Sequence, residues 1–220
     1  MTEATSLQPL QIDVVSDVVC PWCYLGKRRL DHALEMTQGL EVAVRWKPFR
    51  LDPTIPPEGV TRKDYLEGKF GSLEAVKPMH DQLSDLGRLE GIDFHFERIT
   101  RSPSTVDAHR VIRWAEPEGA QDQIVERLFL AYFTEGLDIG DPNVLSEAAD
   151  EVGLDAALIG EQLASDMDRA TVEADIENAY HIGVTGVPCF IVAGKYAVMG
   201  AQEAPALAQA LVQIATGQTA

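Results

Sequence analysis

The chain has 220 residues, 45% hydrophobic and 24% charged, the balance of an ordinary soluble globular protein. At about 150 residues per domain this is one large domain or one domain with an insertion, and a chain of this size needs no disulfide or metal to stay folded. Eighteen Lys and Arg against 35 Asp and Glu give a net charge of −17, which repels phosphate backbones and anionic lipid and argues against nucleic-acid or membrane partners.

The first six residues lack the basic and apolar regions of a secretory signal. No apolar run approaches the ~20 residues that span a bilayer. The expected location is therefore cytoplasmic. Structural disulfides are rare in that compartment, so closely spaced cysteines there point to catalysis or metal binding.

Residues 10–15, rich in Ile and Val, predict a buried strand. A helix follows, with Gly26, Leu30, Ala33 and Leu34 on its apolar face, charged residues elsewhere, and Gly39 as its stop. Alternation over 41–49 predicts a second strand, parallel to the first through a right-handed crossover. Three prolines within 51–59 mark a linker.

More than a hundred mostly helical residues come next. Ala108, Val111, Ile112 and Ala115 share one helical spacing, as do Val125, Leu128, Phe129 and Tyr132. Asp141-Pro142 predicts an N-cap with proline at the first helical position, and Gly153 the end of that helix. Asp155 and Asp166 predict two further N-caps. Residues 93–99 read equally well as extended chain or loop. Residues 188–193 and 196–199 predict a hairpin closed by Gly194-Lys195, and Ala204, Leu207, Ala208 and Leu211 a final amphipathic helix.

The chemistry concentrates in Cys20-Pro21-Trp22-Cys23, between a strand and a helix. Cys20 would lie at the helix N-terminus, where unpaired N–H groups and the dipole favour an anion. Cys23, one turn in, would be the more buried, resolving thiol. Pro21 fits the first turn because its missing N–H has no partner there. Two inert core cysteines, or half of a zinc site completed by Cys189 and a histidine, are the competing readings. No second CxxC or paired-His motif supports a metal site. No Gly-rich phosphate loop supports a nucleotide.

These residues, with Tyr24-Leu25-Gly26-Lys27, Arg101-Ser102-Pro103-Ser104-Thr105, Ala108-His109-Arg110, Leu128-Phe129, Ala131-Tyr132-Phe133, Gly186-Val187-Pro188 and Gly200-Ala201-Gln202, carry a resemblance over nearly the whole chain. It resembles the DsbA superfamily, in particular the FrnE-like cytosolic thiol–disulfide oxidoreductases. These are related to the 2-hydroxychromene-2-carboxylate isomerases and the kappa-class glutathione transferases. The resemblance implies an α/β, thioredoxin-like fold with an inserted all-helical domain, split as 8–54 and 168–220 around 55–167. It implies a cis Pro188 facing the dithiol, with Val187 keeping a backbone edge open to substrate. The isomerases and transferases typically lack the second cysteine, so Cys23 favours the dithiol reading.

The expected activity is disulfide oxidoreductase or isomerase, with Cys20 attacking and Cys23 resolving. Its substrates are protein or small-molecule thiols and disulfides. Pro21, Trp22, Val187 and Pro188 would contact substrate. His109 could line the cleft, although a histidine satisfied by local hydrogen bonds is the simpler reading. Asp17 could relay a proton or be an ordinary loop residue. Cys189 reads as a packed side chain, or as a third redox partner. Arg45, Lys47 and Arg50 read as a solvated basic face. Trp22 brings no cation to Cys20, so a less oxidising protein than the periplasmic members is expected. No tightly bound cofactor is expected, with glutathione a candidate redox partner, and the chain would be a monomer or homodimer. The alternatives are a glutathione-dependent isomerase or transferase acting on a small aromatic substrate, and a chaperone-like binder of unfolded chains.

Overall fold

The computed structural model describes residues 9–37 and 39–217. The expected domain edges at 8 and 220, and the N-terminal residues read for a signal, lie outside them. β1 (Leu10–Ser16) leads through a short turn into α1 (Pro21–Met36), and β2 (Val42–Pro48) returns parallel to β1, in register from Leu10↔Val42 to Ser16↔Pro48.

The chain then leaves the sheet. β3 (Val60–Thr61) opens α2 (Arg62–Phe70), and α3 (Leu73–Leu89) follows. Thr61 and Ser72 cap these helices by accepting from the N–H groups of Asp64 and Ala75. Residues 93–99 are loop, with one 3₁₀ turn at Phe96–Arg98. β4 (Arg101–Ser102) pairs back on β3, so the helical insertion also holds a two-stranded ribbon.

α4 (Val106–Trp114) and α5 (Gln121–Leu130) carry the two periodic stripes. α5 runs into a π-helical turn, Ala131–Glu135, which buries the consecutive residues Ala131, Tyr132 and Phe133. α6 (Pro142–Glu151) and α7 (Ala156–Leu163) start at Asp141 and Asp155, both capping through their carboxylates. α8 (Arg169–His181) begins two residues later than the sequence suggests. Asp168, in the left-handed region, is its N-cap, while Asp166 ion-pairs with Arg169.

β5 (Cys189–Val192) and β6 (Tyr196–Met199) rejoin the sheet, giving the order β2-β1-β5-β6, and α9 (Ala204–Ala215) packs on α1. The hairpin loop has three residues rather than two. Ala193 leaves the strand with positive φ, its N–H donating to the Gln11 carbonyl.

One hydrophobic core runs without a break from β1 and α1 into α4, α5 and the π turn. Inside it Tyr24, Phe94, Phe129 and Phe133 stack or meet edge-on. Two cations of α1 do not face solvent, whereas His32 and Glu35 do. Lys27 is 4% exposed, held by Asp31, Asp122 and Glu126 at 2.8, 3.2 and 3.5 Å. Arg29 is buried on Glu90, Glu203 and the Ala201 carbonyl. α5 on one side and α9 with the end of α3 on the other cover this face, and each buried cation is paired as burial requires.

Candidate active site

Cys20 is the N-cap of α1. Its N–H donates to the Asp17 carbonyl at 3.0 Å, and its own carbonyl accepts from Cys23 N at 3.0 Å and Tyr24 N at 3.3 Å. No side chain, the Cys20 sulfur included, makes a capping hydrogen bond to the first turn. Cys20 Sγ lies 3.9 Å from the Val187 carbonyl oxygen. The Val187–Pro188 bond is cis. All three cysteines are free thiols.

Gly26 sets the distance between α1 and that turn. A Cβ there would stand 2.6 Å from Pro188 Cγ and 3.3 Å from Pro188 Cβ. Ala in place of Gly inside a helix normally gains about 1 kcal/mol, and overpacking costs about 1–3 kcal/mol. Gly26→Ala should therefore cost about 0–2 kcal/mol of stability while moving Val187 off Cys20. We expect disulfide exchange to fall about tenfold or more with an unchanged circular dichroism spectrum. An unaltered rate would remove this role for Gly26.

Cys23 is 1% exposed and sealed in the core. Burial pushes its thiol well above the usual range, and the neighbouring Cys20 pushes further; the Ser16 hydroxyl and the Asp17 backbone N–H oppose them. Cys20 is itself only 3% exposed, so the two thiols differ in position more than in burial: Cys20 borders the cavity in front of the helix and Cys23 does not.

A cavity of about 280 Å³ opens in front of Cys20, and it brings Asp17, Cys20, Pro21, Trp22 and Val187 together. Pro188 lies behind it, on Gly26. α2, α3 and the π turn supply the opposite wall, including Arg62, Tyr65, Phe70, His80 and Tyr132. Sequence reasoning missed this wall. His80 stacks on Phe96 with ring centroids 4.0 Å apart. Burial, with help from the Arg62 charge and against Asp81, lowers its pKa to about 4, so it stands neutral at pH 7.

Arg50 also lines the cavity and is not part of a solvated strand face; of the other two cations of that cluster, Arg45 pairs with Asp13. Among the described residues, neither Arg50 nor Arg62 has a carboxylate within 4 Å, whereas Lys69 on the same wall is 4.0 Å from Asp52.

His109 does not enter this cavity. It is buried, its Nε2 2.9 Å from the Phe49 carbonyl and 3.6 Å from Asp17 Oδ1, so its partners are distant in sequence rather than local. Asp17 is itself buried; Oδ2 accepts from the Leu51 N–H at 2.7 Å, and Oδ1 has no hydrogen bond. Cys189 pairs with Val15 in the sheet and packs with Phe49, Ala179 and Val184. Strand alternation puts it on the face opposite Val14 and Phe190, in a cluster separate from Cys20 and Cys23. Among the described residues, no three His, Cys, Asp or Glu gather as a metal site, and no helix is long and apolar enough to cross a membrane.

A dithiol at a helix start, facing a carbonyl next to a proline in a four-stranded mixed sheet, defines the class. Residues 11–212 match the DSBA-like thioredoxin domain, and the chain belongs to that family. An uncharacterized protein of Bacillus subtilis (strain 168), YwbO, is 30% identical over 193 residues, 87% of this chain and 90% of that one. The crystal structure of SCO1869 from Streptomyces coelicolor, described as a probable DsbA oxidoreductase, superposes with a TM-score of 0.86 at 31% identity, covering 96% and 92% of the two chains. The cytosolic disulfide reductase DsbM of Pseudomonas aeruginosa, solved with GSH, shares the fold at 20% identity, with a TM-score of 0.65 over 94% and 99% of the chains. The chain is thus a member of a DsbA-like oxidoreductase family.

Proposed function

We propose that the protein catalyses thiol–disulfide exchange on protein or small-thiol disulfides. The observation that carries this reading is the asymmetry of the dithiol. Cys20 borders the open cavity and the Val187 carbonyl, while Cys23 lies behind it in the core.

Cys20 thiolate attacks one substrate sulfur, the substrate disulfide breaks, and the departing thiolate takes a proton from solvent. Cys23 loses its proton and attacks Cys20 Sγ. The second substrate thiolate leaves, and the protein ends as the Cys20–Cys23 disulfide. The Val187 backbone offers a polypeptide an edge to pair with. Asp17, bordering the same cavity with Oδ1 free of hydrogen bonds, is the proposed proton shuttle there. With Trp22 bringing no cation to Cys20, the pair is suited to reduction or isomerisation more than to strong oxidation. This chemistry fits a cytoplasmic setting, with glutathione as recycling partner.

Arg50 and Arg62, facing an otherwise largely apolar cavity, favour a second reading: a glutathione-dependent isomerase or transferase acting on a small aromatic substrate. A redox titration in glutathione buffers, joined to an insulin-reduction assay, tests the first reading. We expect a two-electron transition with loss of two hydrogens by mass, and catalysed insulin reduction. A dithiol that neither oxidises nor turns over would overturn it.

A further inference from the structure

The chain as a whole is strongly acidic, with a net charge of −17, yet the cavity in front of Cys20 has the opposite balance. Its wall carries three cations, Arg50, Arg62 and Lys69, against two carboxylates, Asp17 and Asp52. Both carboxylates are engaged. Asp17 is 1% exposed and accepts from the Leu51 N–H, while Asp52 accepts from Thr54 and lies 4.0 Å from Lys69.

Arg50 and Arg62, by contrast, are short of acceptors. Arg50 donates to the Ile55 carbonyl at 2.9 Å, and Arg62 Nη1 reaches the Ser102 hydroxyl at only 3.4 Å. Arg62 Nε is shielded from solvent and has no hydrogen-bond partner. Arg62 Cζ stands 5.7 Å from the Tyr65 ring centroid. Ile55, Tyr65 and Ser102 all belong to the cavity wall, which places both guanidinia there. Arginines buried elsewhere in the protein are saturated: Arg29 and Arg110 each meet several carbonyls or carboxylates. A guanidinium presents a fork that matches a carboxylate, so an under-coordinated pair in the cavity of Cys20 is suited to hold one. The same wall includes Val19, Trp22, Leu66 and Phe70, and its volume of about 280 Å³ is near the size at which small-molecule sites begin.

We propose that the preferred substrates of this cavity are small disulfides whose sulfur is joined to a carboxylate through an apolar alkyl or aryl body. The carboxylate is shared by Arg50 and Arg62, and the body lies against Trp22, Leu66 and Phe70. This rests on the exchange reading above and narrows its substrate class. The chemistry of the step is unchanged. Cys20 thiolate forms a bond to one substrate sulfur, the substrate S–S bond breaks, and the departing thiolate takes a proton from solvent. A substrate ammonium would meet two guanidinia and no free carboxylate, so cationic disulfides such as cystamine are disfavoured. Oxidised glutathione carries both kinds of group and falls between them.

The test compares dithiodibutyrate with its uncharged diamide, each rate divided by that of 2-mercaptoethanol with the same disulfide. The wild-type chain should prefer the dicarboxylate about tenfold, the low end for hydrogen bonds to a charged group. Arg50→Gln combined with Arg62→Gln should bring the ratio to about one, and Arg62→Lys alone should keep part of the preference. A ratio cancels any change in the thiolate fraction of Cys20, so a merely structural effect of the variants would not move it. A second measurement needs neither a variant nor a disulfide. Phenylbutyrate should slow alkylation of Cys20 by iodoacetamide in the wild-type chain, and the amide of phenylbutyrate should not. The carboxylate site is overturned by a wild-type ratio of one or less, by a preference that survives in the folded double variant, or by equal protection from acid and amide. If neither disulfide reacts while phenylbutyrate still protects, the exchange reading falls and the carboxylate site stands.

Discussion

Cys23→Ser is expected to stop the protein as a covalent adduct at Cys20. Serine is nearly the size of cysteine, so the core around α1 should accept it with little change in packing. A buried hydroxyl, however, does not attack a disulfide sulfur. The first step remains and the second is lost. Mass spectrometry after exposure to oxidised glutathione should show one glutathionyl adduct per chain, and insulin turnover should fall to background. The wild-type chain should pass through the same adduct to the internal disulfide. Turnover retained by Cys23→Ser would favour the glutathione-dependent reading, in which one thiol suffices.

Arg110→Met should produce the largest loss of stability outside the dithiol. Arg110 is fully buried, and its guanidinium donates to the carbonyls of Met167, Gln162 and Ser165 at 2.7–2.8 Å and to Asp107 at 2.9 Å. It also lies over the Trp114 ring at 4.9 Å. Methionine replaces the stem but leaves those acceptors without their donor in a place water reaches poorly. Removing one partner from a buried charged network costs about 3–5 kcal/mol. For a chain of this length 1 kcal/mol moves the melting temperature by about 2–4 °C, so a drop on the order of 10 °C is expected in a thermal melt. A drop of only a degree or two would mean that the turn before α8 finds other partners.

What was legible in the sequence is what short-range pattern encodes. The strands around the dithiol, the parallel pair and the capped starts of α6 and α7 follow from alternation, N-cap chemistry and proline at the first helical position. α2 and α3 were hidden for physical reasons. α2 contains Gly68 and few apolar residues, and α3 carries Pro78 within its span, which reads as a break. α3 nevertheless keeps a helical stripe at Val76, Met79, Leu83 and Leu86; what no local pattern reports is that Met79 and His80 wall the Cys20 cavity.

The burial of Lys27 and Arg29 was likewise not legible. Charge on a helix implies solvent unless partners from elsewhere arrive, and Asp122, Glu126 and Glu90 are 61 or more positions away in sequence. Within the site, Cys20 and Cys23 were readable because spacing and a strand-to-helix position coincide. Ser16 offered one weak signal, a small polar residue at the end of an apolar strand. His109 meets Phe49 and Asp17 across separations that no local pattern reports.

The 167 positions between Cys20 and the Val187 carbonyl have a consequence for biosynthesis. A ribosome releases the dithiol segment first, and β1 can pair with β2 soon after, while the segment that walls Cys20 and completes the sheet follows 167 positions later. Through most of translation the nascent chain thus presents two thiols with neither the Val187 edge nor the β5 neighbour in place. Closing so long a loop is slow relative to local helix formation. The acquisition of a shaped site therefore waits for the segment from Val187 through β6, and a product truncated before it would carry the cysteines without the geometry that directs them.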